Sequence, residues 1–158
     1  MLNLIGEYEC KLDAKSRLLF PSGLKKQIPS VSGEYRFVLN RGFEQCLVLY
    51  TLEVWKSRSE EVNQLNDYII QNRDFIRYFY RGATELLLDG ANRLLLPKHL
   101  LEYAGIEKDI ILFAFSNRVE IWDSIKYKTL LTDEPKDFAR LAEEVMSKKE
   151  RNKAEDVS

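Results

Sequence analysis

The chain of 158 residues is long enough for one domain, or for one domain assembled from two halves, and its hydrophobic content of 45% allows a sizeable core. Its 24 basic and 25 acidic residues give a net charge of −1, which excludes a general attraction to nucleic acid or membranes, so a polyanion must bind at a local patch or at patches repeated by oligomerisation. No apolar run is long enough to span a bilayer, and the first residues lack the pattern of a signal peptide, so we expect a cytoplasmic protein.

The first half of the chain is predicted to be rich in β-structure. Alternating apolar residues ahead of Asp13 indicate a half-buried strand, because successive side chains of a strand point to opposite faces. Asp13 and Ser16 are typical of a tight turn, Pro21 suits the first turn of a helix, and Thr51 can cap a later one. The predicted order is strand 7–12, turn 13–16, strand 17–20, helix 22–28, strands 37–39 and 46–50, and helix 52–66.

The connection between the halves, around residues 72–81, is dense in aromatic residues, which indicates a helix that packs against a core. Arg73, Arg77 and Arg81 recur every four residues and so share one face of this helix. Such a row is either a solvated face or a surface that touches a ligand, and the pattern leaves both interpretations open.

The second half repeats the order of the first. Pro97 opens a helix that Gly105 ends as a left-handed cap would, and Asp123 caps a further helix. A helical pattern resumes after Pro135, whereas the charged tail lacks apolar residues to bury and is expected to be disordered. The predicted order is strand 82–89, turn 90–92, strand 93–96, helix 97–104, strands 110–115 and 119–122, a helix after 123, a helix over 137–149, and a disordered tail over 148–158.

One short stretch occurs twice, and the second copy follows the first at a constant spacing of 76 residues. The first copy is LDAKSRLLFP at residues 12–21, and the second is LDGANRLLLP at residues 88–97. Both contain an Asp that opens a turn, an Arg four positions later, an apolar strand and a Pro that ends the strand. This duplication is the feature around which the chain is organised.

No set of residues in the sequence supports catalysis. His99, the only histidine, lies in the first turn of a short helix, where a packing or surface role accounts for it. Cys10 and Cys46 are isolated and are expected to be free thiols of a reducing compartment, too few for a zinc site. Asp13 and Asp89 could form a carboxylate pair, but each sits in its own turn beside an Arg. We therefore expect no enzyme, no cofactor and no small-molecule substrate.

The repeated Asp-x-x-x-Arg pattern has two interpretations. In the structural one, Asp13 and Asp89 hold their turns, and the arginines pair with them or with backbone carbonyls. In the functional one, Arg17 and Arg93 lie at equivalent places on two related hairpins and form a paired cationic feature, because the arginine fork donates bidentately to phosphate and to guanine. Lys15 adds a positive charge at the tip of the first hairpin. The interpretations are compatible, since a turn held by Asp would pre-organise its Arg.

At these residues the chain resembles the MraZ family, whose two copies follow Asp-x-Lys-Gly-Arg-Leu-x-x-Pro and Asp-x-x-Gly-Arg-Leu-x-x-Pro. The resemblance covers roughly residues 5–147. The family's turn glycine is Ser16 in the first copy and Asn92 in the second. Glycine is usual at positive φ, and Asn tolerates that conformation better than Ser, so we expect both turns to form, with the first slightly strained or of a different type. Further matches are CLVLY at 46–50, FIRYF at 75–79, YAG at 103–105 and NRVEIWD at 117–123.

The resemblance implies an α+β, β-rich fold with two tandem, pseudo-symmetric AbrB-like swapped-hairpin β-barrel modules. It also implies a nucleoid-associated transcriptional regulator, which we expect to be a repressor. The regulator would bind repeated promoter sites in double-stranded DNA upstream of the division and cell-wall gene cluster. It would do so as a ring-shaped homo-oligomer. The alternative is a ring-forming scaffold for another protein, with incidental DNA binding. The expected ranges are a first module at 5–52, a helical linker at 53–81, a second module at 82–125, C-terminal helices at 126–147, and the tail.

The resemblance assigns roles to the residues of the repeated pattern. Arg17 and Arg93 would be the main DNA contacts, and Lys15 would be auxiliary. Asp13 and Asp89 would orient the two hairpins. A neutral protomer could bind DNA in this way if a ring aligned several copies of the arginines along repeated sites. Once one copy is bound, the ring holds the others at a high effective concentration near the next site.

Overall fold

The structure, a computed structural model, describes residues 2–132 and 135–157, with side chains described up to Lys153. The chain has two compact units, and the boundary between them falls between Tyr127 and Lys128. Over the described ranges it forms eight strands and six helices. Their bounds are β1 Leu4–Lys11, β2 Arg17–Leu19, α1 Ser22–Lys25, β3 Arg36–Arg41, β4 Leu47–Thr51, α2 Leu52–Asn63, α3 Ile70–Tyr80, β5 Thr84–Leu87, β6 Arg93–Leu95, α4 Lys98–Ala104, β7 Asp109–Ser116, β8 Arg118–Asp123, α5 Ser124–Thr132 and α6 Phe138–Val157.

Strands from the two halves of the chain interleave in one antiparallel sheet, whose order is β1-β7-β8-β4-β3-β5. The first strand, β1, pairs with β7 of the second half along its whole length, and β5 of the second half pairs with β3 of the first. Exchanging every strand for its counterpart in the other half (β1 for β5, β3 for β7, β4 for β8) reproduces this order in reverse. The sheet is therefore pseudo-symmetric about the junction between β4 and β8, and the ranges 5–52 and 82–125 share one compact unit.

A separate two-stranded ribbon, formed by β2 and β6, closes the main core. Leu18 and Leu94 face each other in its register, and both are fully buried against the sheet. Leu24 of α1 and Leu100 of α4 are also fully buried in this cluster, which shows the same correspondence between the halves. Removal of so many apolar groups from water is the main force that holds the ribbon on the sheet.

The opposite face of the sheet carries a second apolar cluster, which includes Val48 and Tyr50 of β4. Helix α2 covers this cluster with Trp55, whose ring stacks on that of Phe79 in α3 with 5.3 Å between their centroids. Residues of β4 are thus buried on both faces, which explains why its sequence is apolar throughout instead of alternating. The predicted N-cap is confirmed, because the Thr51 hydroxyl accepts a hydrogen bond from the backbone of α2.

Two residues of β3 hold the C-terminal end of α3. The buried Asn40 side chain donates to the Phe79 carbonyl at 2.6 Å. Arg41 donates to the carbonyls of Tyr78 at 2.8 Å and Arg81 at 2.9 Å. The last carbonyls of a helix have no partners within the helix, so these bonds satisfy them and fasten the linker to the sheet.

The prediction of a disordered tail over 148–158 is wrong for residues 148–157, because α6 continues to Val157; Ser158 lies outside the described residues. Residues 148–157 contain neither Gly nor Pro and are mostly Lys, Glu, Arg and Ala, which have good helix propensity. Arg140 and Glu144, one turn apart in the same helix, form an ion pair at 3.5 Å. The composition of the tail indicates little burial, but a helix that continues from an existing one does not require burial of every turn.

Candidate nucleic-acid interface

The β2–β6 ribbon places the two copies of the repeated stretch side by side. Its strands are antiparallel, so the two turns lie at opposite ends of the ribbon. At one end the backbone of Phe20 donates to the Asn92 carbonyl at 2.8 Å, and at the other the backbone of Leu96 donates to the Ser16 carbonyl at 3.0 Å. Each turn is thereby fastened to the strand that belongs to the other half.

The first turn is held by the carboxylate of Asp13. Its Oδ1 accepts from the backbone amides of Lys15 and Arg17, both at 2.9 Å, and its Oδ2 accepts from the Nε of Arg17 at 2.8 Å. The backbone of Asp13 donates to the Arg17 carbonyl at 3.0 Å and accepts from the Ser16 amide at 3.0 Å. One carboxylate therefore determines both the path of the turn and the direction of the arginine side chain.

The second turn has the same geometry. The carboxylate of Asp89 accepts from the amides of Ala91 and Arg93, both at 2.9 Å, and from the Nε of Arg93 at 3.1 Å. Ser16 and Asn92 share a φ of 61°, so the first turn is of the same type as the second. Of the two outcomes expected for the first turn, the structure has the strained one, a serine at positive φ, and not a different turn type. The reason is that the Asp carboxylate binds two amides of the turn and thereby imposes one backbone path on either residue.

The guanidinium groups of Arg17 and Arg93 keep donors for a ligand. Both side chains are about one-third exposed, at 28% and 34%. The carboxylates bind the Nε edge, and within residues 2–132 and 135–157 no hydrogen bond from either pair of terminal nitrogens is present. An arginine held by its Nε and open at its Nη atoms can donate to a phosphate or to the O6 and N7 atoms of guanine.

The two carboxylates that orient these arginines are more acidic than usual. The hydrogen bond from the backbone amide of Arg17 is the main cause that lowers the pKa of Asp13 below its ordinary value of 3.8, and the Arg17 guanidinium and the Lys15 amide lower it further. The amide of Arg93 has the same leading effect on the pKa of Asp89. Both groups are thus ionised at neutral pH, which keeps each Asp–Arg pair intact.

Lysines supply positive charge at both ends of the ribbon by different routes. Lys15 is exposed at the tip of the first turn, where the second turn has Ala91. At the second end, Lys25 of α1 donates its Nζ to the side-chain oxygen of Asn92 at 2.6 Å and lies over the Tyr35 ring, 5.0 Å from its centroid. Sequence reasoning missed Lys25, because only the crossing of the two halves brings it to the second turn.

The other sequence candidates lie outside the ribbon. His99 is exposed on α4, and its neighbours give it no metal partners, since the described part of the chain holds no group of three or more His, Cys, Asp or Glu side chains that could bind a metal ion. Arg73 donates to the Asp67 carbonyl at 2.9 Å, and Arg77 pairs with Asp74 at 3.5 Å, so both take part in local surface contacts. None of the described helices is both long and apolar enough to cross a membrane.

Comparison with known proteins gives consistent results. The family model described as "MraZ protein, putative antitoxin-like" matches the chain twice, at residues 4–77 and 79–151. A "Transcriptional regulator MraZ" of Christiangramia forsetii is 50% identical over 147 residues, which are 92% of this chain and 94% of that protein. Proteins of the same name from Flavobacterium psychrophilum and Cytophaga hutchinsonii are 45% and 42% identical, over 92% and 90% of this chain and 93% of each relative.

Proposed function

The chain belongs to the MraZ family, and from this premise we propose that it is a transcriptional regulator that binds double-stranded DNA through the β2–β6 ribbon. Arg17 and Arg93 are the main DNA contacts in this proposal, and Lys15 is an auxiliary one. Asp13 and Asp89 orient the hairpins. The target is the set of repeated promoter sites upstream of the division and cell-wall gene cluster, where the protein acts as a nucleoid-associated repressor.

The observation that carries this proposal is the identical geometry of the two Asp–Arg turns. Ion pairs of Nε at 2.8 and 3.1 Å leave two matched sets of Nη donors on one small ribbon. Both copies thus keep the same donors open, as a paired contact with DNA requires. Two strands side by side are also narrow enough for the major groove of DNA, which is about 12 Å wide.

We also infer that the interleaved strands form the AbrB-like swapped-hairpin arrangement. The pairing of β1 with β7, and of β5 with β3, exchanges one strand of each half with the other half. Interchanging the halves gives the same sheet order in reverse, as the proposal of two related modules requires. Two modules in one chain would then present two equivalent turns to the DNA.

A ring-shaped homo-oligomer would supply the affinity that a protomer with a net charge of −1 lacks. Large apolar and aromatic side chains on and next to the linker helix α3 support self-association, because they face solvent in the single chain. Tyr68 is 90% exposed, Ile70 is 67% exposed and Tyr78 is 64% exposed. These residues lie next to or within α3 and belong to neither strand of the ribbon.

DNA selection from a random pool, followed by fluorescence anisotropy over a salt series, tests the proposal. We expect the slope of log affinity against log salt to steepen by about 0.9 for each phosphate contacted. The double variant Arg17→Ala, Arg93→Ala should lose at least about 30-fold in affinity, since each bidentate base contact is worth about 1–3 kcal/mol. The control Arg140→Ala, Arg151→Ala removes the same charge from exposed positions of α6, outside both the ribbon and α3, and should bind like the unaltered protein.

The same experiment distinguishes the DNA-binding regulator from the alternative, a protein-interaction scaffold. The exposed residues around α3 favour that alternative. A flat salt series, or unchanged affinity in the Arg17→Ala, Arg93→Ala variant, would favour the scaffold and refute the proposed DNA site. Light scattering at micromolar concentration tests the ring, and a monomeric mass would contradict it.

A further inference from the structure

We infer that Leu19 and Leu95 contact the C5-methyl groups of thymines in the major groove. This inference rests on the proposed DNA binding and adds to it the identity of a second base. The proposed arginine contacts recognise guanine edges or phosphates, whereas the leucines would recognise an apolar group that only one of the four bases carries there.

The two leucines are unusually exposed for large apolar residues in a ribbon that closes a core. Leu19 is 63% exposed and Leu95 is 60% exposed, whereas Leu18 and Leu94, their neighbours in the same strands, have no exposure at all. A single exposed leucine needs no explanation. Two at equivalent positions of a duplicated strand form a paired feature of the same kind as the two arginines.

The register of the ribbon places the leucines and the arginines on one face. Leu95 is directly opposite Arg17, and Leu19 is directly opposite Arg93. The buried Leu18–Leu94 pair lies between them in the strands and points the other way, because side chains alternate between the faces of a strand. Along the outer face in one direction, β2 therefore presents Arg and then Leu, and β6 presents Leu and then Arg.

The dimensions of this face match the spacing of bases. Arg17 and Leu19 are two residues apart, which is about 7 Å along a strand. Two base-pair steps also span about 7 Å, since bases repeat about every 3.4 Å along a DNA strand. A ribbon that donates from its arginines to guanine would thus bring its leucines within about two base pairs of that guanine.

The chemistry of the major groove leaves one apolar partner for a leucine. Guanine, cytosine and adenine carry no methyl group there, whereas thymine adds its C5-methyl group. Leucine can neither donate nor accept a hydrogen bond, so its contact with a polar edge would leave that edge unpaired. Contact with a methyl group removes apolar surface of both partners from water.

Substitution of uracil for thymine tests the inference without changing any hydrogen-bonding group. The duplex selected from the random pool is prepared with deoxythymidine or with deoxyuridine, and its affinity for the full chain is measured by fluorescence anisotropy. We expect uracil to weaken binding about three- to fivefold for each methyl group contacted. The variant Leu19→Ala, Leu95→Ala should bind the thymine duplex more weakly and should no longer distinguish it from the uracil duplex.

A matched control is Leu52→Ala, an exposed leucine that begins α2 and lies outside the ribbon; it should keep the full difference between the duplexes. Equal affinity of the unaltered protein for both duplexes would overturn the thymine contact while leaving DNA binding intact. A changed oligomer mass in the double leucine variant, with the preference for thymine kept, would also overturn it and place the leucines in a protein interface. Failure of the proposed DNA binding itself appears separately, as an unchanged affinity of the double arginine variant.

Discussion

The two ends of the β2–β6 ribbon have the same backbone and different surroundings. At the first end, Ser16 takes the positive φ and the tip carries Lys15. At the second end, Asn92 takes the same φ, the tip carries Ala91, and Lys25 reaches in from the other half to bind the Asn92 side chain. One short pattern thus determines both turns. The nearby positive charge comes from Lys15 within the turn at the first end, and from Lys25, which is distant in the sequence, at the second.

This comparison separates what the turn requires from what it tolerates. Both ends require the carboxylate that accepts two backbone amides and one guanidinium Nε. Both tolerate a residue other than glycine at the positive φ, although a side chain there has a conformational cost of about 1–2 kcal/mol. The equivalence of the arginines and the inequivalence of the lysines lead to four predictions.

The largest expected effect is that of the single arginine variants on DNA affinity. Arg17→Ala and Arg93→Ala should each weaken binding by about five- to 150-fold, because each removes one bidentate donor of about 1–3 kcal/mol. Since the two turns have the same geometry, the two losses should be similar. Anisotropy with the selected duplex measures them, and a large loss for one variant beside no loss for the other would break the proposed equivalence.

A smaller effect is expected from the charge at the two tips. Lys15→Ala should make the slope of log affinity against log salt shallower by about 0.9 for each protomer bound, if this lysine contacts one phosphate. Ala91→Lys adds a matching charge to the second tip and should steepen the slope by a similar amount. Salt titrations of both variants check this, and an unchanged slope in Lys15→Ala would remove Lys15 from the interface.

Stability should respond to the residue at positive φ, and more strongly at the first end. Ser16→Gly should raise the free energy of unfolding by about 0.5–1 kcal/mol, because glycine adopts this conformation without steric cost. Asn92→Gly should give a smaller gain or a loss, since Asn tolerates positive φ and its side chain accepts from Lys25. Urea unfolding at equal protomer concentration measures both, and a larger gain at Asn92 would contradict the comparison.

The smallest effect concerns pH and should be alike at both ends. Because folding lowers the pKa of Asp13 and Asp89 below 3.8, the folded state binds their protons less readily than the unfolded state does. Their contribution to stability is therefore present above 3.8 and is lost as the pH falls from there through the folded pKa values. Urea midpoints at pH 5.5 and pH 3 should differ less in Asp13→Ala, Asp89→Ala than in the unaltered protein. An equal difference in both proteins would show that the turns do not contribute.

Local features were the most predictable part of this molecule. The N-cap at Thr51 and the left-handed cap at Gly105 are where the sequence predicts them, and the two Asp turns form as expected. These features depend on hydrogen bonds between residues that are close in the chain, so a short stretch contains all the partners. The tail shows the limit of such reasoning, because a composition that indicates little burial does not exclude a helix up to Val157.

The sequence by itself determined the duplicated pattern, the two turns and the Asp–Arg pairs, because all of their atoms lie within five consecutive residues. Only the tertiary structure decided that β2 pairs with β6, that Lys25 reaches Asn92, and that Leu19 and Leu95 face outward beside the arginines. In the strand Arg17-Leu18-Leu19 either leucine could have entered the core. The choice depends on register, and register is set by the sheet and the partner strand, which lie far away in the chain.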